Sequence, residues 1–412
     1  MPIEPRDRDV IRGLAAEVAE IAALPVQRET IGLWKALNGL RPIRPMVAID
    51  QIPWHEMDVD GELALACADQ FCRSLETQLR RILYRWKHLR ADMVVEPVMD
   101  VPKVFTGLGS GIRIVERRAT LDPSNPVVGH LYQDQLAGEA DVAKIRAGTV
   151  ELDAGATAAG EERARALLDG TLVVRMQGIF PVFSPWDAIV QWRGADAVLT
   201  DLAERPEHSH RIMERLTGSM LATLDQLEAK GFLGTGQSTI HCTGAYTDEL
   251  PAAGHDPRKP RARDLWTCGM AQIFSGVSPA MHQEFELDYA VRWYARFGLV
   301  YYGCCEPLDG KLDLVRSIPR VRKVSMSPWV NVEHGAERMG KNMVFSRKPS
   351  PALVAGDSWN PEAVRQDLER TVQACRRHGT PVELVLKDIS TVRYQPQRLW
   401  EWAEIARRVA LA

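Results

Sequence analysis

The sequence predicts an α/β fold, a (β/α)8 barrel with N-terminal helices and an inserted β-hairpin. Three observations lead there. Eight short apolar runs end in polar or Gly/Pro residues, as strands buried on both faces of a parallel sheet do. Amphipathic stretches with apolar residues at three- and four-residue steps separate most of them. The chain is 412 residues long, which accommodates one large barrel with insertions.

In chain order, the first ninety residues read mostly as helix, over Val10 to Ala23 and Glu62 to His88. The first strand, Arg44 to Asp50, lies between them. The later strands are read at Met93 to Pro97, Thr171 to Gly178, Leu265 to Gly269, Leu299 to Cys304, Lys323 to Ser327, Met343 to Arg347 and Glu383 to Asp388. Helices are expected over Pro206 to Lys230, Ala280 to Phe297, Lys311 to Ile318, Glu333 to Met339, Pro361 to His378 and Gln397 to Val409. Alternation of this kind builds a barrel from βα units. Two segments break it: Val104 to Arg118 reads as an inserted hairpin, and a short strand at Gln237 to Thr243 precedes a loop rich in Pro, Gly and charge that runs to position 263. The small-residue run Asp153 to Gly160 reads as a surface linker. Residues 1–43 then form a helical extension and 44–412 the barrel.

The composition is that of a globular protein, 45% hydrophobic and 25% charged. With 51 basic against 54 acidic side chains, the net charge of −3 offers no electrostatic footprint for nucleic acid. No apolar run approaches the roughly 18 residues of a membrane span, and the charged N-terminus lacks the apolar core of a signal peptide. A cytoplasmic location is expected. The seven cysteines are odd in number and scattered, as reduced thiols are.

Four phrases and an opening motif carry a family resemblance. Leu33-Trp-Lys-Ala-Leu-Asn-Gly-Leu-Arg-Pro-Ile-Arg-Pro-Met-Val47 resembles the helix, Leu-Asn-Gly-x-x-Pro turn and first strand that open the uroporphyrinogen decarboxylase superfamily. Ser278-Pro-Ala-Met-His-Gln-Glu-Phe285, Gly303-Cys-Cys-Glu-Pro307, Ser325-Met-Ser-Pro-Trp329 and Phe345-Ser-Arg-Lys-Pro-Ser-Pro351 resemble its uroporphyrinogen decarboxylase-like subgroup. The resemblance implies a barrel of that type and one of two chemistries, decarboxylation without a cofactor or zinc-dependent methyl transfer involving a corrinoid (cobalamin). True decarboxylases carry an Arg-Gln-Ala-Gly-Arg motif after the first strand. Here Asp50-Gln-Ile-Pro-Trp-His-Glu56 replaces it, without the arginines that clamp substrate carboxylates. The methyltransferases carry His-x-Cys after the fifth strand and a further Cys after the seventh. This chain has Gly303-Cys-Cys-Glu306 and Ser346-Arg-Lys348 there, so any zinc site must be differently composed.

Candidate residues are sought at the strand ends, where barrels build their sites. Cys304, Cys305 and Glu306 follow the fifth strand and, with His241, are the expected metal ligands, thiolate and carboxylate being suited to zinc. On a strand, Cys304 and Cys305 would point to opposite faces, so sharing a metal requires that the strand has already broken into loop. The His241–Cys242 pair faces the same restriction. His55, Glu306 and Arg347 are the expected catalytic groups, His55 as a proton carrier. Asp50, Trp54, Arg175, Gln272, Trp329 and Lys348 are the expected substrate contacts: Trp329 by stacking, Arg347 and Lys348 by charge. Arg175 in a strand demands a partner, Glu96 or a substrate carboxylate. Lys387 and Asp388 end the eighth strand. For partners, the resemblance implies a small-molecule substrate and a corrinoid protein, and a homodimer is one assembly it allows. A metal-free decarboxylase or lyase clamped by Arg175 and Arg347, and a non-catalytic corrinoid- or tetrapyrrole-binding barrel, are the alternatives.

Overall fold

The computed structural model describes residues 3–120, 123 and 128–412. Eight parallel strands form its centre: β1 (Met46–Ile49), β2 (Val98–Pro102), β3 (Val173–Gln177), β4 (Trp266–Gly269), β5 (Leu299–Tyr302), β6 (Val321–Met326), β7 (Val344–Arg347) and β8 (Val382–Leu386). Six join in one parallel sheet in the order β1-β8-β7-β6-β5-β4, and β2 and β3 pair in parallel separately. A single bridge from Phe183 to Gly269 ties the chain beyond β3 to β4. Seven of the strands overlap the apolar runs. The exception is β2, which lies just beyond Met93 to Pro97, because Pro97 lacks an N–H and only accepts a bond, from Val173. The strand that forms instead alternates, burying Met99 and Val101 and turning Asp100 to Arg175.

Among the described residues the ladder does not close between β1 and β2. The open edge of β1 is capped by side chains: Asp92 accepts the Val47 N–H at 2.7 Å and the Arg85 guanidinium donates to the Ile49 carbonyl at 2.9 Å. Such caps satisfy an edge without a neighbouring strand.

Two expectations need correction. Val104 to Arg118 does not fold on itself: Phe105–Thr106 pairs with Glu151–Leu152, and Glu116–Ala119 with Gly129–Tyr132. Asp153 to Gly160 is no linker but the start of a helix, Ala154–Leu168. Asp153 caps it, accepting the Ala156 N–H at 2.8 Å, and its alanines are strong helix formers.

Helices cover the outer face of the strands, and Val300, Tyr302, Val324, Met326, Phe345, Leu384 and Leu386 fill the space between. The helical stretch before β5 contains a π-turn at Gln283–Leu287, which places Glu286 beneath β5. Glu286 accepts the Tyr302 hydroxyl at 3.1 Å, and His282 lies 2.6 Å from the same hydroxyl. Complete burial pushes the Glu286 carboxyl up to about 8. Between its ordinary 4.5 and about 8 the folded chain holds a proton that the unfolded chain releases, so stability falls as pH rises through that window. Glu286→Gln should remove this slope. Urea midpoints of wild type and variant are expected to diverge between pH 5 and 8, by roughly a few kcal/mol, in favour of the variant.

Candidate active site

β5 stops at Tyr302 because Gly303 takes φ +92°, a backbone conformation that side chains resist. A Cβ there would also lie 2.4 Å from Leu308 Cδ1. The turn frees Cys304 and Cys305 from strand alternation, and their sulfurs come to 3.5 Å of each other. Both thiols therefore share one side, as a metal site or a paired thiol site requires.

Glu306 continues the turn but faces the other way. Its fully buried carboxylate accepts the Cys304 N–H at 2.9 Å and the Ala271 N–H at 3.1 Å, tying the loops after β4 and β5 together. It is a positioning residue for Cys304, turned away from the sulfurs it was expected to join as ligand or catalyst.

The thiol pair sits in a basic surround. Lys387, at the end of β8, places Nζ 3.1 Å from Cys304 Sγ and 2.9 Å from Asp388 Oδ2. Cys305 Sγ lies 3.7 Å from the same Asp388 oxygen. A hydrogen bond from the Cys305 thiol, with His241 and Lys387 close by, holds the Cys304 thiol far below the ordinary range, and the same bond pushes Cys305 up. The bond and the Lys387 ammonium group both favour a negative charge on Cys304 and the proton on Cys305.

His241 arrives on a hairpin that the sequence had suggested only as a strand. Thr239–Ile240 and Thr243–Gly244 pair antiparallel, and His241 and Cys242 are the turn between them, at φ +41° and +71°. Positive φ at both central positions belongs to turns usually made by Asn-Gly, and each non-glycine residue there costs of order 1 kcal/mol. The hairpin packs against β1 and β4 and is held by Lys323, which donates to the Gly244 carbonyl at 3.0 Å, and by Thr243, which donates to Glu383 at 2.8 Å. His241 comes to rest on the Tyr301 ring, with centroids 4.9 Å apart, and its Nε2 is buried without a hydrogen-bond partner. Burial lowers the imidazole, so it is neutral. Cys242 and Asp50 line a cavity of about 130 Å³ with Arg85, whose guanidinium donates to the Ile49 carbonyl. Burial pushes Cys242 up to about 12.

Lys348 is the second ammonium group. It donates to the Tyr301 hydroxyl at 2.6 Å and to Ser346 Oγ at 2.8 Å, and burial pulls it down to about 8. Arg347, its neighbour on the chain, emerges on the opposite side. There it donates to the Ser327 carbonyl and lies 3.3 Å from Asp367 on the Pro361–His378 helix. Strand alternation thus separates two cations expected to act together, and Arg347 serves the helix layer.

The remaining candidates are dispersed. Arg175 makes a two-point pair with Asp100, at 2.5 and 2.8 Å, in place of Glu96 or a free carboxylate. Trp54 packs edge-on against Tyr84 beneath the Arg81 guanidinium, and Gln272 donates to Asp187. Trp329 is 77% exposed and stacks on no ring among the described residues. His55 faces the Tyr394 ring edge-on at 6.3 Å, and its buried Nε2 lies 3.5 Å from the Glu56 carboxylate, too far for a good hydrogen bond. Glu56 beside it pins the loop after β8, accepting from Thr391 and from the Val392 and Tyr394 N–H groups. Tyr301, Ser346 and Arg85 were not singled out from the sequence. The inward step of two from Leu299 to Tyr301 was the available signal for the first of these.

The donor set does not fit zinc as it stands. Among the described residues no group of three His, Cys, Asp or Glu side chains is gathered to hold a metal ion. Glu306 is turned away, and the Lys387 ammonium occupies the side of Cys304 that a cation would need. The Lys387 ammonium group supplies a positive charge on the Cys304 sulfur instead.

No protein-family model and no curated protein matches the sequence. Among solved structures, the chain is similar to a methyltransferase from Methanosarcina mazei, with a TM-score of 0.51 and 10% identity over 93% of this chain and 99% of that one. At that identity the likeness is one of fold, and it extends along nearly the whole of both chains. No helix among the described residues is long and apolar enough to cross a membrane.

Proposed function

We propose that the chain is a small-molecule methyl-transfer enzyme of the uroporphyrinogen decarboxylase-like kind, with Cys304 as the reacting thiolate. The observation that carries this reading is Lys387 Nζ at 3.1 Å from Cys304 Sγ, with Cys305 at 3.5 Å on another side, at the strand ends where parallel α/β folds keep their sites. The fold likeness and the family phrases support methyl transfer as the chemistry.

In this reading the thiolate attacks the methyl carbon of a donor in line. The S–C bond forms, the bond from carbon to the leaving group breaks, and the leaving group departs with the electron pair. Lys387 keeps the sulfur anionic before attack, and the Cys305 thiol orients its lone pairs. Lys348, lowered to about 8, is placed to give a proton to a departing oxygen or nitrogen. A corrinoid, as the resemblance implies, would supply a cobalt centre for exchange of the methyl group. In this reading the corrinoid would be offered from outside by a partner protein. The alternative of a decarboxylase clamped by Arg175 and Arg347 loses its clamps, since Asp100 and Asp367 already occupy them.

The test is to screen methylated amines, ethers and thiols with and without a corrinoid protein, in the presence of a strong chelator, with elemental analysis of the same sample. Transfer that survives chelation, on protein with far less than one zinc per chain, is the expected result. One zinc per chain whose removal stops transfer would overturn the thiolate reading.

A further inference from the structure

Cys304 and Cys305 bring together the parts of a peroxide-reactive dithiol. One sulfur is ion-paired to an ammonium group at 3.1 Å, its neighbour is a thiol at 3.5 Å, and Cys305 is partly open to solvent while Cys304 lies just behind it. The other five cysteines lack this arrangement: Cys67, Cys72, Cys268 and Cys375 are buried, and Cys242, though partly open, has no second thiol and no lysine at hydrogen-bond distance from its sulfur among the described residues. Gly303 is what allows the approach, by ending the strand one residue before the pair.

We propose that Cys304–Cys305 is an oxidative modification site, at which a hydroperoxide converts the adjacent pair into a reversible disulfide that switches the enzyme off. The Cys304 thiolate attacks the terminal oxygen of the hydroperoxide. The S–O bond forms, the O–O bond breaks, and the departing alkoxide takes a proton from Lys387, leaving an alcohol and a Cys304 sulfenic acid. Cys305 sulfur then attacks Cys304 sulfur: the S–S bond forms, the S–O bond breaks, and the released hydroxide leaves as water with the Cys305 proton. Overall the two cysteines lose two hydrogens, and the peroxide is reduced to alcohol and water. The bridge is a labile one. Adjacent Cα atoms lie about 3.8 Å apart, closer than the roughly 4.4–6.8 Å of ordinary disulfides, so a dithiol reductant reopens it readily. Closing it removes the thiolate and its hydrogen-bond donor together.

Chemically the bridge depends on the pair and on Lys387, and not on methyl transfer. Its effect on turnover rests on the reading of Cys304 as the reacting group. The experiment treats the folded full-length protein with hydrogen peroxide, denatures it in iodoacetamide and maps the cysteines by mass spectrometry. The peptide holding 304 and 305 should lose two hydrogens and escape alkylation, and should recover both on treatment with dithiothreitol, while Cys67, Cys72 and Cys375 in the same sample stay alkylated. In Cys305→Ser the product should instead be a sulfenic acid at Cys304, trapped by dimedone. Lys387→Met should slow oxidation about tenfold or more at mildly acid pH. Full alkylation of both residues after peroxide, or oxidation of the buried cysteines first, overturns the inference. Bridged protein that still transfers at full rate overturns Cys304 as the reacting group and leaves the bridge standing.

Discussion

Cys304→Ser should lower methyl transfer by about a thousandfold or more with the fold intact, because a serine hydroxyl at this position stays protonated where the thiol does not. The companion Lys387→Met separates charge from nucleophile. Without the ammonium group at 3.1 Å the Cys304 thiol rises, though the Cys305 hydrogen bond and His241 still act to hold it down. Its rate should then be depressed at neutral pH and recover as pH rises, whereas the wild-type rate stays flat through the same range. The sign follows from which form reacts. A thiol held low is already ionised below neutrality, so wild type has nothing to gain from base. Steady-state rates against pH for the three proteins check this, with circular dichroism confirming that each is folded.

Lys323→Met should be the most destabilising single change in the inner face. Lys323 and Glu383 are both fully buried and meet at 2.7 Å, and Thr243 donates to the same Glu383 oxygen at 2.8 Å. Removing the lysine leaves a carboxylate uncompensated in the interior, a loss of about 3–5 kcal/mol. Lys323 also donates to the Gly244 carbonyl, so the change loosens the hairpin that carries His241. The double variant Lys323→Met, Glu383→Leu removes both charges and is expected to regain most of the loss, since an apolar pair of similar volume is often no worse than a buried ion pair. Urea denaturation of the two single variants and the double closes the cycle. A loss under 1 kcal/mol for Lys323→Met would mean that the pair is solvated in solution.

Much of this framework is visible in the chain itself. Apolar runs with polar ends mark parallel strands buried on both faces, and seven of the eight fall where such runs stand. The second eluded that reading because its pattern alternates around Asp100, while the stronger apolar run beside it ends in a proline that cannot pair. The candidate site was legible in its types and less so in its directions. Cys304, Cys305, His241 and Lys348 could be named from strand ends, and the geometry brings these four together. Whether Cys304 and Cys305 share a face depends on Gly303 at positive φ, and whether His241 reaches them depends on a two-residue turn made without glycine or asparagine. Neither feature has a local sequence signal. Glu306, Arg347, Trp54 and Gln272 have the right chemistry at the right positions, yet each side chain is already committed to a neighbour. Such commitments depend on contacts between distant segments, Arg347 with Asp367 and Glu306 with Ala271, which strand patterning does not report.

The pH dependence of alkylation at Cys304, resolved by peptide in the wild-type protein, tests the central claim most directly. If Cys305, His241 and Lys387 hold this sulfur as a thiolate, its reaction with iodoacetamide is already at full rate well below neutral pH and stays level to pH 8, and Lys387→Met moves the onset of reaction to higher pH. A wild-type rate that climbs with an apparent value near 8.5, as a solvated cysteine does, would contradict the thiolate and with it the proposed reaction.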